Sequence, residues 1–459
     1  MTNNSDILTS ISVAQKKIWY AQQLNPDETL YNIADIIEFG EALNLKAFTK
    51  AVQLLINECD ILRARFVQKN GAVYYHIDTI DKHKFAVTVP PKTYSDKDIE
   101  EFVVAEAKSP IDLINGPLYK FLIVSKSNGY TYFLQKYHHI IADGASFPII
   151  TKRLFDLYDR IIEEKNLDSN YFDSYASFID REAKYYLSDR YEVDRSFWNQ
   201  KVSSESRDSQ SWITETATLS NLAAVSRKLD ASTRQLLIDT AKKIETSLPN
   251  LFIIIAAIFH CKVANVKNVN INVIFSGRGS AEKRTPGMMS HTLPVPFIYD
   301  GHLSLQNVIG NFSKELRTSL RHGRYLNSEL EHVVAAGRGL IVNPSINFMT
   351  LDYGTAPLVA AQCPAFGPAY GFTINAYNRV NLDELIVQIA SDKSLGDEDY
   401  IQNLLIKFNL FLDGILCNPD HSIGSFELLD EDERQKILFD WNDTTQPIPD
   451  ATLPELFEA

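Results

Sequence analysis

Two adjacent histidines, His138 and His139, stand just ahead of Asp143 and Gly144 in the stretch Tyr137-His138-His139-Ile140-Ile141-Ala142-Asp143-Gly144. Imidazole titrates at about pH 6.5, so it is the side chain best matched to taking or orienting a proton near neutrality. Neighbouring residues on a strand point to opposite faces, and only one of the two rings can look into a given cleft. One of the two should therefore be chemical and the other structural. The Asp143-Gly144 turn allows close backbone approach, and the Gly144 amide, at the entry of a following helix, is a candidate contact for developing negative charge. Each feature alone has a plainer reading: a hydrogen-bonded core histidine, and a simple turn.

The elements that must position these groups can be read around them. Residues 130–137 are rich in aromatic and β-branched side chains and predict a strand, paired with residues 121–124 across a Ser127-Asn128-Gly129 turn. Ile150, Leu154, Leu157, Tyr158, Ile161 and Ile162 recur at helical spacing and predict a helix over about 146–165. Upstream, Ser12 can cap a helix carrying Ile18, Trp19 and Leu24, and residues 31–39 read as a strand. Leu45, Phe48, Val52, Leu55, Ile56 and Cys59 share one helix face. Residues 175–198 form a charged helical stretch, and 203–216 a polar linker.

A second α/β unit begins near Arg227, with helices from about Ser232 and over 249–263, the latter apolar nearly all round. A strand over 268–276 leads to Gly277-Arg278-Gly279 and a Gly/Pro loop over 284–294 that contains His291. Helices over 304–320 and 328–336, strands over 345–349 and 384–389, and a covering helix over 397–416 complete a mixed sheet. The tail, 431–459, has no core pattern of its own.

The chain's 459 residues exceed one ordinary core and point to two or three domains. With 45% hydrophobic and 22% charged residues it reads as a globular protein, and the net charge of −13 argues against nucleic acid as a partner. Cys59, Cys261, Cys363 and Cys417 fit no CxxC pattern and read as reduced, buried thiols. The longest apolar run, 251–259, is far short of the roughly 20 residues that span a bilayer, and the N-terminus lacks a signal-peptide pattern. A cytoplasmic location with no membrane association is expected. No metal-ligand cluster and no phosphate loop is present in the sequence, so neither a metal nor a bound cofactor is expected.

Five regions, in order, resemble the motifs of the condensation domains of non-ribosomal peptide synthetases. The histidine heptad is similar to their His-His-x-x-x-Asp-Gly signature, shared with the wider superfamily that includes chloramphenicol acetyltransferase. Ser12-Val13-Ala14-Gln15-Lys16-Lys17-Ile18-Trp19 resembles the opening motif, with Lys17 and Ile18 in place of Arg and Leu. Asp60 to Phe66 resembles the second, although Glu58, Cys59 and Asp60 depart from its start. Asp194 to Trp198 and the loop through His291 resemble the fourth and fifth. Ala21 to Pro26 and Tyr31 to Ala34 are similar to the starter subgroup, which acts at the head of an assembly line.

The resemblance implies two chloramphenicol-acetyltransferase-like lobes in a V, an α/β pseudo-dimer with an active-site tunnel between them. The lobes are expected over 1–178 and 179–430, with 431–459 linking to a following adenylation domain. It implies amide formation between a donor acyl thioester, on coenzyme A or an acyl carrier, and an aminoacyl group on a carrier's phosphopantetheine arm, by a monomer. His139 would be general base or orienting group, and His138 structural. Arg63 would pair with Asp143, whose carboxylate then stays ionised and fixes the loop instead of moving protons. Gly144 would contact the oxyanion, and Asn347 and His291 would line the substrate channel. An elongating condensation domain, an epimerisation domain, a heterocyclisation domain and an inactive carrier-recruiting scaffold are the alternatives. The intact histidines disfavour the last, and heterocyclisation would carry aspartate in their place.

Overall fold

The computed structural model describes residues 8–458 apart from 25, 27–28, 41–42, 84, 86–93, 169, 205–211, 214–221, 328–340, 343, 367–371, 394 and 446–451. Helix α1 (Val13–Leu24) opens with a reciprocal cap. Gln15 N–H donates to Ser12 Oγ (3.2 Å) and Ser12 N–H to Gln15 Oε1 (3.1 Å), so the Ser-x-x-Gln spacing satisfies two donors at the helix start. The first lobe continues with β1 (Asn32–Phe39), α2 (Leu45–Glu58), α3 (Asp96–Lys108), β2 (Tyr119–Ser125), β3 (Thr131–His138) and α4 (Ser146–Ile162). Between β2 and β3 the turn requires φ +86° at Gly129, a conformation that glycine adopts without strain.

Helices α2 and α4 bury Phe48, Leu55, Leu154 and Phe155 on one face of this sheet. On the other, Ile99, Val103 and Ala107 of α3 cover Ile36, Leu122 and Leu134. Every residue of β3 is buried, which explains a strand that reads as a continuous run instead of an alternation.

Two helices, α5 (Tyr175–Tyr186) and α6 (Asp189–Ser204), replace the single one expected over 175–198. The break falls at Leu187 and Ser188, whose N–H groups turn back to the Lys184 and Tyr185 carbonyls.

The second lobe comprises β4 (Leu222–Lys228), α7 (Ala231–Lys243), α8 (Leu248–Ala264), β5 (Asn268–Phe275), β6 (His291–Ile298), α9 (Leu305–Arg321) and β7 (Ser345–Leu351). It goes on through β8 (Leu358–Phe366), β9 (Phe372–Arg379), β10 (Glu384–Asp392) and α10 (Glu398–Cys417). Six strands form its sheet in the order β6-β5-β7-β9-β10-β4, with β7 parallel to both neighbours and the other pairs antiparallel. Residues of α8 are buried without interruption from Leu251 to Cys261, as a helix apolar all round requires. Among the described residues no single helix is long and apolar enough to cross a membrane.

Several expectations change. The loop expected over 284–294 ends at Ser290, and His291 begins an edge strand, where the missing N–H groups of Pro294 and Pro296 can be tolerated. Strands β8 and β9 carry too little apolar alternation to be read from sequence, and β8 pairs irregularly with two register shifts. Strand β8 also crosses over: it joins the first lobe's sheet in the order β8-β1-β3-β2, so residues 358–366 complete the sheet that holds the histidines. A buried ion pair ties the lobes beside this crossover, with Arg379 Nη2 of β9 donating to Asp35 Oδ1 of β1 at 2.8 Å and the Tyr353 hydroxyl donating to Asp35 Oδ2. Cys417 is exposed at the end of α10, unlike the buried thiol expected. The helix expected over 328–336 lies outside the described residues, as does most of 203–216. Within the latter, Trp212–Ile213 pairs with Ile341–Val342. In the tail, helix α11 (Glu431–Leu438) buries no residue.

Candidate active site

Strand β3 ends at His138, and His139 opens the turn that follows, so the two rings meet different surroundings. His138 is 1% exposed, and its ring is hydrogen-bonded at both nitrogens. Nδ1 accepts from the Ile140 N–H (3.2 Å), which leaves Nε2 as the protonated nitrogen, 3.3 Å from Gln22 Oε1 on α1. Burial, with the neighbouring His139 adding to it, lowers its pKa to about 3. This ring is a neutral strut between β3 and α1.

His139 lies on the wall of a cavity of about 570 Å3 between the two lobes. Its backbone N–H is fixed by the Tyr31 carbonyl (2.7 Å), while its Nδ1 is buried without a well-formed hydrogen bond. Burial lowers its pKa below the usual value, against an opposing pull from the Asp143 carboxylate and the backbone of His139 and Ala142. The ring is therefore neutral at pH 7, the form that can accept a proton.

Asp143 does not pair with Arg63. The Arg63 guanidinium is taken up locally by the carbonyls of Ile56 (2.6 Å), Asn57 (2.7 Å) and Asp78 (3.3 Å), where it closes the end of α2. The partner of Asp143 is Arg278 of the second lobe, whose Nη1 donates to Oδ2 at 2.7 Å. The same oxygen accepts the N–H groups of Met289 (3.1 Å) and Ser290 (3.0 Å), and Oδ1 accepts the N–H (3.1 Å) and hydroxyl (2.9 Å) of Ser146. Full burial would raise this carboxyl's pKa, but Arg278 and the amide donors outweigh it and hold it below the usual carboxylate value. Asp143 is thus a fixed anion that pins three segments together and not a base. The missed residue is Arg278; its signal in the sequence was an arginine between two glycines directly after a strand.

Gly144 lines the cavity beside His139. Its backbone is not in the left-handed region; a Cβ added there would lie 2.2 Å from Met349 Sδ on β7, so the methionine side chain would have to move aside. The close approach expected at this turn is thus made by a side chain of the opposite lobe. His291 lines the same cavity from β6. Its Nδ1 is 3.0 Å from the Met289 carbonyl, its Nε2 is buried without a well-formed hydrogen bond among the described residues, and burial lowers its pKa to about 4 against opposing pulls from the Met289 and Gly323 backbone.

Asn347 also lies on the cavity wall, and the register sets it opposite Asn375, with Ser345 opposite Thr373. These four form a neutral polar strip on two parallel strands. Asn375 donates to Gln388 Oε1 (3.1 Å), whereas the Thr373 hydroxyl is buried with no partner among the described residues. The rest of the wall is largely apolar: Ile253, Val273, Phe275, Leu316, Phe348 and Met349. An acid-base ring beside a fixed loop, facing neutral amides and an apolar wall, suits acyl transfer from a donor that arrives activated.

Comparison with known proteins agrees with this architecture. A model of the family described as "Condensation domain" matches residues 8–438. The chain is 26% identical, over its full length, to a dimodular nonribosomal peptide synthase of Bacillus subtilis (strain 168), of which the match covers 20%. It is 24% identical to tyrocidine synthase 3 of Brevibacillus parabrevis over 98% of this chain and 7% of that one. The chain thus spans a fifth or less of the length of these relatives. Among solved structures it is similar to the first condensation domain of the calcium-dependent antibiotic synthetase in complex with a substrate analogue, with TM-score 0.83 and 20% identity over 93% of this chain and 100% of that one. It is also similar to a variant of the starter condensation domain of rhizomide synthetase RzmA in complex with C8-CoA, with TM-score 0.82 and 22% identity over 92% and 98%.

Proposed function

Because this chain belongs to the condensation-domain family of non-ribosomal peptide synthetases, whose members form amide bonds, we propose that it is a starter-type member that N-acylates an aminoacyl group held on a carrier's phosphopantetheine arm. The donor is an acyl thioester on coenzyme A or on an acyl carrier. The observation that carries this reading is the neutral His139 ring on the wall of a largely apolar cavity between two lobes.

In the proposed reaction the acceptor amine attacks the thioester carbonyl, the C–N bond forms and the C–S bond breaks. With Nδ1 buried, Nε2 of His139 is the nitrogen left to accept or orient the amine proton, which passes to the departing thiolate. The Gly144 N–H is the proposed oxyanion contact, and Asn347 the proposed hydrogen-bond partner of the substrate. Holding both reactants in one enclosed passage supplies the proximity that aminolysis needs. His291 is a weaker candidate for proton transfer, since its Nδ1 is engaged by the Met289 carbonyl. We place the main lobes at 1–178 and 179–430, the first borrowing strand β8, and assign 431–459 to a connection towards an adenylation domain.

The test is incubation with acyl-coenzyme A and an aminoacyl-loaded carrier, followed by intact mass of the carrier. N-acylated carrier that is lost in His139→Ala supports the starter reading. Acylation only from a peptidyl or aminoacyl carrier donor moves the assignment to an elongating domain, and binding without product moves it to a scaffold.

A further inference from the structure

Strands β5 and β7 are neighbours in the sheet, yet they are paired only at Ser345 with Asn272 and Ile346 with Val273. Beyond that point β5 continues through Ile274 and Phe275 and β7 through Asn347, Phe348 and Met349, without pairing to each other. The residues on both sides of this notch line the cavity: Ile274, Phe275 and Ser276 on one, Asn347, Phe348 and Met349 on the other. So do Pro249 and Ile253 of α8 and Leu316 and Leu320 of α9, helices that pack on the core side of the sheet. The cavity therefore has an apolar arm that passes through the notch towards the helices. Two of its walls are braced rings: Phe275 meets His291 at 3.9 Å between centroids, and Phe348 meets Phe252 at 5.6 Å. Met349 is different, an unbranched thioether packed directly on Gly144 at the reacting end of the passage.

Resting on the acyl-transfer reading above, we propose that this arm takes the tail of a linear aliphatic donor and that Met349 is its size gate, selecting against donors branched or ringed next to the carbonyl. A chain whose carbonyl lies beside Gly144 and His139 must pass Met349 within its first carbons. Only further along does it reach Leu316 and Ile253. The two positions therefore filter different parts of the donor: Met349 its width near the carbonyl, Leu316 its length.

The experiment is a competition between octanoyl-coenzyme A and benzoyl-coenzyme A, with butanoyl-coenzyme A as the short reference, on an aminoacyl-loaded carrier, in wild type, Met349→Ala and Leu316→Trp. Thermal melts establish that each variant is folded. Met349→Ala is expected to raise benzoyl over octanoyl product by about 10-fold or more, the usual scale of discrimination by apolar fit. Leu316→Trp is expected to lower octanoyl relative to butanoyl by a similar factor and to leave the benzoyl-to-butanoyl ratio within about twofold. If wild type forms amide from these donors but neither ratio moves in folded variants, the gate is overturned while the acyl-transfer reading stands. If wild type forms no amide from acyl-coenzyme A or from the same acyl groups on a carrier, both are overturned.

Discussion

The two walls of the cavity are built on opposite plans. On the first-lobe side nearly every polar group is engaged: both His138 nitrogens are occupied, and Asp143 accepts from Arg278, Met289, Ser290 and Ser146. Among the described residues of that wall, Nδ1 of His139 is buried without a well-formed hydrogen bond. Among the described residues, the second-lobe wall leaves the Thr373 hydroxyl and His291 Nε2 buried without well-formed hydrogen bonds, and it ends in a flexible methionine. Saturated networks hold a shape, whereas open polar groups and soft side chains are where a ligand gains interactions. In the proposed reaction one wall fixes the chemistry and the other meets the substrate.

The largest test of this contrast is Arg278→Ala, which strands a fully buried carboxylate and should cost about 3–5 kcal/mol in urea unfolding. The pair Arg278→Met with Asp143→Asn should recover much of that loss. Arg63→Ala removes only bonds to carbonyls and should cost about 1–3 kcal/mol. Equal losses at the two arginines would mean that the anion is held by something other than Arg278.

His139→Ala should lower amide formation by roughly 10²–10⁴-fold with little change in unfolding midpoint. His138→Ala should instead lower the midpoint through loss of a buried, doubly bonded strut. If both variants lose activity in proportion to stability, the assignment of one ring to chemistry and one to structure fails.

Gly144→Ala pushes the flexible Met349 thioether aside and should cost about 1 kcal/mol or less. Added to Met349→Ala it should cost much less, because the clash is then gone. Additive losses would show that the glycine serves another need.

The smallest effect is on pH dependence. Burial lowers His138 to about 3 and His260 and His291 to about 4, and lowers His139 as well. Below their unfolded value of about 6.5 the unfolded chain binds protons that the folded rings refuse, so stability should fall as pH drops from 6.5 towards 4. The slope is at most about 1.4 kcal/mol per pH unit for each ring. Glu182, raised by burial to about 7, acts in the opposite sense between its ordinary 4.5 and 7, losing its contribution as pH rises through 7. Urea midpoints at pH 7.5, 6 and 5 measure the balance, and a midpoint rising towards pH 5 would contradict the predominance of the histidines. The rate should show an acid limb below 6.5 as His139 protonates.

Much of this was legible in the sequence where one local rule decides. Ser12 and Gln15 cap α1 because their spacing matches the helix start, Asn128-Gly129 turns a hairpin because glycine accepts the backbone, and α8 is buried because it has no polar face. Strands β6, β8 and β9 were not legible. Prolines and polar residues there answer to an edge position, to a crossover into the other lobe and to a cavity wall, none of which leaves a local pattern.

By itself the sequence determined that two adjacent histidines at the end of a strand cannot both look into one cleft, because successive side chains along a strand alternate in direction. Tertiary structure alone decided which arginine meets Asp143, since Arg63 and Arg278 offer the same charge and only the packing of the lobes brings one guanidinium to 2.7 Å. It alone also placed Met349 on Gly144 and opened the notch between β5 and β7, because contacts between distant segments follow from how sheets stack and not from residue type.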